Sequence, residues 1–138
     1  MKIYWDTSAI IIFYTHGKLH EISGVTRPHT LTEAFSTLTG RGVITYKPDG
    51  TPKATKLSPN LAQRLIRQIH SKLTYVDLTP DEMVNALKDA EKKQIQGGRV
   101  HDLMHAVAAE KSGADELWTF DRSDFIGLGS TPLKEPVL

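Results

Sequence analysis

KIYWDTSAIIIFY, residues 2–14, is the stretch that decides the fold prediction. Its first part, Lys2–Trp5, is β-prone and stops at Asp6, which predicts a strand that ends in a turn. The apolar residues that follow predict a helix through Ile10 to Tyr14. Asp6 is therefore expected at the carboxyl end of a strand, immediately before a helix.

A second strand is predicted around Val25–His29, followed by a helix with Thr30 as its N-cap residue. Gly40 and Gly42 are expected to end this helix. Glu33 falls in its first turn, at the spacing from Thr30 that a capping box requires.

The segment Arg41–Ser58 has little periodicity and is locally basic, which predicts an exposed loop or a short hairpin around Asp49-Gly50. Ser58 and Pro59 then supply the N-cap and first-turn proline of an amphipathic helix. The apolar residues expected to share its buried face are Leu61, Leu65, Ile66 and Ile69.

Tyr75–Leu78 is the next predicted strand, and Thr79, Pro80 and Glu82 give the following helix a capping box. Gly97-Gly98 is expected to break this helix. Its buried stripe is predicted to consist of Met83, Ala86, Leu87 and Ala90.

The last predicted helix, His101–Ser112, is closed by Gly113. Glu116–Thr119 is then a strand that leads to Asp121. Strands that alternate with helices in this way predict one α/β domain over residues 1–138, with a mainly parallel central sheet flanked by helices.

Composition narrows the possible functions. A chain of 138 residues without cysteine has no disulfides, no thiolate metal site and no cysteine nucleophile, which favours a cytoplasmic protein. The net charge is only +1, so nucleic-acid affinity has to come from local patches or a bound metal. Neither a signal peptide nor a membrane-spanning stretch is expected.

Four acidic residues are expected to meet at one edge of the sheet. Asp6 and Asp121 follow strands, whereas Glu33 and Asp102 begin helices, and both kinds of position point to the carboxyl edge of a parallel sheet. Clustered carboxylates repel one another unless a cation compensates, and oxygen ligands favour Mg²⁺ or Mn²⁺. Such a site would hydrolyse phosphodiester bonds without a covalent nucleophile.

The prediction that Asp102 lies at this edge depends on one further assumption. The helix before it is expected to run down the sheet for about 21 Å. The segment Ile95–Val100 then has to return to the upper edge, and an extended chain of that length spans about 20 Å.

Short motifs in the same order resemble those of a PIN domain. They are Tyr-Trp-Asp-Thr-Ser-Ala at 4–9, Pro-His-Thr-Leu-Thr-Glu at 28–33, Val-His-Asp at 100–102 and Leu-Trp-Thr-Phe-Asp-Arg-Ser-Asp-Phe at 117–125. The chain is most similar to small stand-alone PIN ribonucleases, the VapC-type toxins. This resemblance implies a Mg²⁺-dependent endoribonuclease, an RNA substrate and a cognate antitoxin.

By the same resemblance, the metal-site positions fall on Asp6, Glu33, Asp102 and Asp121, with Asp124 as an alternative to Asp121. Thr7, Ser8 and Thr119 are expected to orient these groups through hydrogen bonds. Arg99 and Arg122 are the candidates for phosphate contacts near the cleft.

Each acid also has a structural interpretation. Asp6 suits a helix N-cap, Glu33 suits the capping box with Thr30, and Asp102 suits the first turn of a helix. Asp121 and Asp124 suit a solvated turn.

Two other functions remain open from the sequence. His101 and His105 have the i, i+4 spacing of zinc-hydrolase helices, but Asp102 stands between them where that pattern uses Glu, and no clear third ligand follows. A non-catalytic module that binds RNA or a partner protein is the second alternative. The continuous apolar run Ile10–Tyr14 also suggests a surface covered by a homodimer or an antitoxin, unless it is core.

Overall fold

The computed structural model describes all residues, 1–138, as an α/β domain around a five-stranded sheet. The strands are β1 (Ile3–Trp5), β2 (Gly24–Thr26), β5 (Leu73–Tyr75), β6 (Glu116–Trp118) and β7 (Leu133–Lys134). Their order is β5-β2-β1-β6-β7, and every neighbouring pair is parallel. The predicted fold class is confirmed.

Helices cover both faces of this sheet, and a hairpin stands apart from it. The helices are α1 (Thr7–Thr15), α2 (His29–Ser36, continued by a wider π turn over Thr37–Arg41), α3 (Pro59–His70), α4 (Pro80–Lys92), α5 (Arg99–Ser112) and α6 (Arg122–Phe125). A short 3₁₀ turn covers Leu19–Glu21. The hairpin consists of β3 (Val43–Tyr46) and β4 (Pro52–Thr55), which are antiparallel.

Strand β1 divides the hydrophobic core into two layers, because successive side chains of a strand point to opposite faces. Trp5 belongs to the layer formed with α1, α2 and α3, where its ring packs at 4.8 Å from Phe13 and 5.0 Å from Trp118. Tyr4 belongs to the layer formed with α4, α5 and α6. Both side chains are fully buried, so this strand is the centre of the fold.

The apolar run after Asp6 is core. Ile10, Ile11 and Phe13 are buried within the first layer, and only Ile12 and Tyr14 are partly exposed. Most of this run is therefore buried by the chain's own core, so the run gives no reason to expect a second subunit that covers it. No helix in the structure is both long enough and apolar enough to cross a bilayer.

Several helix boundaries follow their predicted chemistry. Ser58 caps α3 with Pro59 in its first turn, and Thr79 and Glu82 form the complete capping box of α4. Gly113 ends α5 in the left-handed conformation, at φ +71°, which glycine adopts without strain.

Three details of the sequence prediction are wrong. The strand predicted at Tyr75–Leu78 lies two residues earlier, at Leu73–Tyr75, because its main-chain hydrogen bonds are made in register with Gly24–Thr26. Leu61 and Leu87 are exposed rather than buried. Next to Leu61, Ala62 is buried although it was not predicted to be, and next to Leu87 the predicted Ala86 is buried.

The path from α4 to α5 also differs from the prediction. Lys111, in the last turn of α5, contacts Glu82, in the first turn of α4, at 2.6 Å. The two helices are therefore antiparallel neighbours, and α4 brings the chain back toward the carboxyl edge. No extended return through Ile95–Val100 is needed to place the start of α5 there.

Candidate active site

The candidate site lies where the strand order changes direction. Strand β1 continues to β2 on one side, and the chain later returns to β6 on the other, so the carboxyl ends of β1 and β6 form a topological switch point. A cleft of about 650 Å³ opens there. Its lining includes all four predicted acids, Asp6, Glu33, Asp102 and Asp121.

Asp6 is both a helix cap and a wall of the cleft. Its carboxylate is only 4% exposed and accepts hydrogen bonds from Ala9 N at 2.8 Å, Ser8 Oγ at 2.8 Å and Thr119 Oγ1 at 2.6 Å. A carboxylate offers about four lone-pair positions, so about one is left for a further ligand. The capping interpretation is thus correct, and it leaves room for a second role.

The same hydroxyl groups shape the turn after β6. Ser8 Oγ accepts from Phe120 N at 3.0 Å, and Thr119 Oγ1 accepts from Asp121 N at 2.9 Å. This network ties the end of β6 to the start of α1. Ser8 and Thr119 thus make the hydrogen bonds to Asp6 that were expected, and Thr7 donates to Glu33 at 3.2 Å.

Glu33 is not part of a capping box with Thr30. Helix α2 begins at His29, and its N-cap residue, Pro28, makes no side-chain cap bond. Thr30 is fully buried, and its hydroxyl accepts a hydrogen bond from Thr26 at 2.7 Å. Glu33 turns instead into the cleft, which removes the main structural explanation for this acid.

Glu33 ends a buried hydrogen-bond relay. His105, which is 2% exposed, lies between Glu33 Oε1 and Tyr4 Oη, at 2.8 Å from each. The carboxylate can only accept, so the imidazole carries hydrogen at Nε2, and in its neutral form it accepts from the tyrosine at Nδ1. Burial raises the pKa of Tyr4 well above its usual value, which keeps that hydroxyl protonated.

This relay holds Glu33 in its ionised form. Burial alone would raise the pKa of Glu33, but the hydrogen bond and charge of His105, with His29 and Thr7, bring it below its usual value. Both bonds go to Oε1, and Oε2 accepts none within the protein. One oxygen therefore stays free to contact water or substrate in the cleft.

Asp102 has the opposite environment. Burial, followed by the negative charge of Asp124 and smaller contributions from Asp6 and Asp121, raises its pKa to about 6. His105 opposes this shift, and no hydrogen-bond donor contributes to it. Ionised Asp102 is thus a carboxylate that the fold accommodates at a cost.

Asp121 and Asp124 differ in position. Asp121 lines the cleft, and burial together with Asp124 raises its pKa, while Arg41 and Ser8 lower it. Both aspartates are exposed, but Asp124 lies outside the cleft lining, although its charge acts on Asp102 and Asp121. The geometry favours Asp121 over Asp124 as the group that faces a ligand.

The donor set of the cleft suits a hard cation. Mg²⁺ commonly binds through one or two carboxylates and keeps several waters, and a cation would offset the mutual repulsion of Asp6, Asp102 and Asp121. Nowhere in the structure do three or more His, Asp or Glu side chains lie close enough together to hold an ion. The acids therefore face one cleft without forming a complete coordination shell.

The two histidines of the zinc pattern do not act together here. His101 stacks on His29, with ring centroids 5.4 Å apart, and lines a neighbouring pocket. His105 faces the main cleft and has both ring nitrogens engaged, by Tyr4 and Glu33. The structure offers no shared coordination point between them.

Cations and apolar groups near the cleft also depart from expectation. Arg99 donates to the main-chain oxygen of Asp124 at 3.4 Å, and neither Arg99 nor Arg122 lines the cleft. The guanidinium that does so is Arg41. Ile44 and Tyr46 of the hairpin also line it, and the only signal in the sequence is that residues two apart in a strand share a face.

Comparison of the chain with protein-family models, curated proteins and solved structures found no match in any of the three.

Proposed function

We propose that this chain is a metal-dependent endoribonuclease of the PIN type. The observation that carries the proposal is the convergence of Asp6, Glu33, Asp102 and Asp121, which are far apart in sequence, on one cleft at the switch point of a parallel sheet. The fold gains no hydrogen bond from ionised Asp102, which is the behaviour expected of a ligand kept for a cation.

The residues of the cleft would have two roles, metal binding and positioning of the attacking water. Asp102, Asp121 and the remaining lone pair of Asp6 would hold Mg²⁺ or Mn²⁺. Such an ion, when bound, lowers the pKa of a coordinated water and neutralises charge on the phosphate and the leaving oxygen. Glu33, held ionised by His105, would position the attacking water through its free oxygen and accept its proton.

Partners follow from the resemblance to VapC-type toxins. RNA is the proposed substrate, and a cognate antitoxin is the proposed regulator that covers the cleft. A homodimer is not part of the proposal, since the apolar run that suggested one is buried in the chain's own core.

A second candidate is a module that binds RNA or a protein without cleavage. One observation favours it: the acids do not form a ready metal site, and Asp6 already accepts three hydrogen bonds. This candidate predicts binding that is insensitive to divalent metal and to removal of the Asp102 charge.

Cleavage of end-labelled RNA separates the two candidates. Purified protein is incubated with single-stranded and hairpin RNA, and with DNA of the same sequence, in Mg²⁺, Mn²⁺ or chelator. We expect RNA cleavage in either metal, none in chelator, and a rate at least about 100-fold lower for Asp102→Asn. Binding without cleavage under every condition would support the second candidate, and cleavage undiminished by chelator would contradict the metal-dependent mechanism.

A further inference from the structure

The hairpin exposes one apolar face. Val43 and Thr45 turn toward the body of the protein, whereas Ile44 and Tyr46 are 53% and 69% exposed. Their cross-strand partners, Ala54 and Pro52, are exposed as well. This hairpin face, Ile44, Tyr46, Pro52 and Ala54, is therefore a continuous apolar surface without a covering element in the chain.

The hairpin face is continuous with the candidate active site. Ile44 and Tyr46 line the same cleft as the four acids, together with Ile11 and Ile12 of α1. The ring of Tyr46 is exposed and belongs to the cleft lining, so a molecule bound in the cleft can contact it.

The segment that contains the hairpin also carries unpaired positive charge. The segment 41–56 carries Arg41, Lys47, Lys53 and Lys56, and none of the four belongs to an ion pair. The single acid of the segment, Asp49, is already bonded to Thr51 at 2.7 Å. The lining of the cleft thus combines acidic residues, which suit a cation, with one unpaired guanidinium, Arg41, and the aromatic ring of Tyr46, which suit a phosphate and a flat apolar group.

We infer that the hairpin face is a stacking subsite for an unpaired base of single-stranded RNA, with Tyr46 against the base and Arg41 at a neighbouring phosphate. Exposed aromatic rings beside cations are the usual platform for single-stranded nucleic acid, whereas a duplex hides the faces of its bases. The surface is shallow, with two small residues beside Tyr46, which suits one base better than the apolar side chains of a peptide. The inference rests on the proposed function.

Fluorescence anisotropy tests the subsite. The probe is a labelled single-stranded RNA of about 12 nucleotides, bound to Asp102→Asn protein so that it stays intact. We expect Tyr46→Ala to raise Kd about 10-fold and Tyr46→Phe to leave it within about twofold, because the ring and not the hydroxyl makes the contact. Val84→Ala, at an exposed apolar residue of α4 remote from the cleft, is the matched control and should bind like its parent.

A probe with abasic nucleotides at its centre completes the test. If Tyr46 stacks on a base, abasic RNA binds more weakly to the parent protein but binds equally to the parent and to Tyr46→Ala. Unchanged binding of intact RNA by Tyr46→Ala, or a preference of the parent for duplex, overturns the subsite alone. A dimer in sedimentation that Tyr46→Ala dissociates would assign the face to a second copy and also overturn it. Failure of every protein to bind RNA would overturn the proposed function itself.

Discussion

Two carboxylates of the cleft, Asp6 and Asp102, lie in contrasting surroundings. Asp6, at the end of β1, is almost fully buried and accepts hydrogen bonds from Ala9, Ser8 and Thr119. Asp102, in the first turn of α5, is half-buried, accepts no such bond and faces three other acids. Burial raises the pKa of both groups, but hydrogen bonds from Thr119, Ala9 and Ser8 oppose this rise at Asp6, whereas no donor opposes it at Asp102.

This difference helps to decide whether each aspartate serves the stability of the fold or the binding of a ligand. Asp6 caps α1 and accepts hydrogen bonds from Ser8 and Thr119, which is enough to explain an aspartate at this position. Its burial alone is therefore weak evidence for catalysis. Asp102 accepts no such bond, and its raised pKa means that folding opposes its ionisation near neutral pH. A bound cation would reverse that effect, which makes Asp102 the more informative residue.

Truncation of Asp6 should have the largest effect on stability. Asp6→Ala removes the cap of α1 and leaves the Ser8 and Thr119 hydroxyls without their acceptor, so we expect a loss of about 3 kcal/mol in the free energy of unfolding. The melting temperature should fall by about 10 °C in thermal denaturation. Asp6→Asn, which keeps one acceptor oxygen, is the control and should lose less than half as much. A melting temperature of Asp6→Ala equal to that of the wild type would remove Asp6 from its structural role.

Divalent metal should stabilise the wild type through Asp102. If Mg²⁺ binds with a dissociation constant of about 1 mM, a concentration of about 10 mM adds about 1.4 kcal/mol by mass action. Thermal melts with and without Mg²⁺ should therefore differ for the wild type and coincide for Asp102→Asn. The same Mg²⁺ shift in both proteins would place the ion elsewhere.

Without metal, removal of the Asp102 charge should stabilise the fold. The pKa of Asp102 is about 6 in the folded state and near 3.8 in the unfolded state. Between pH 3.8 and pH 6 the folded state therefore binds more protons than the unfolded state. Its contribution therefore weakens stability as pH rises from about 4 to 6 and stays unfavourable above that range. We expect Asp102→Asn to be more stable at neutral pH by about 1 kcal/mol, allowing for solvent screening. Urea denaturation across this pH range should show that the gain disappears at the acidic end.

Asp124 should show the smallest effect. It raises the pKa of Asp102 and Asp121 from outside the cleft, so Asp124→Asn relieves repulsion without removing a ligand. We expect a melting temperature within about 2 °C of the wild type and RNA cleavage within about threefold. Loss of cleavage comparable to that of Asp102→Asn would give Asp124 the ligand position that the geometry gives to Asp121.

The sequence predicted those parts of the site that depend on local structure. Asp6 and Asp121 could be placed because a strand end fixes the edge on which a following residue lies. Glu33 was obscured by a capping-box spacing, because only the tertiary bond between Thr26 and Thr30 shows that the box is absent.

Contacts between residues far apart in the sequence could not be predicted from local sequence patterns. The relay joins Tyr4 to His105 across 101 positions, and no spacing rule connects them. A short hairpin around Asp49-Gly50 was one of two predictions for its segment, but its place beside the cleft depends on how Val43 packs against the first core layer. The antiparallel pairing of α4 with α5 is also a long-range feature: Ala86 of α4 packs in the same core layer as residues of α5, and Lys111 contacts Glu82.

Binding of Mn²⁺, followed by the loss of its free-ion signal in electron paramagnetic resonance, tests most directly whether Asp102 is kept for a cation. Wild type, Asp102→Asn and Asp124→Asn are titrated at neutral pH, with circular dichroism to confirm that each is folded. We predict that Asp102→Asn binds Mn²⁺ at least about 10-fold more weakly than the wild type, while Asp124→Asn binds nearly as well. Equal Mn²⁺ binding by the wild type and Asp102→Asn would contradict the proposed metal site.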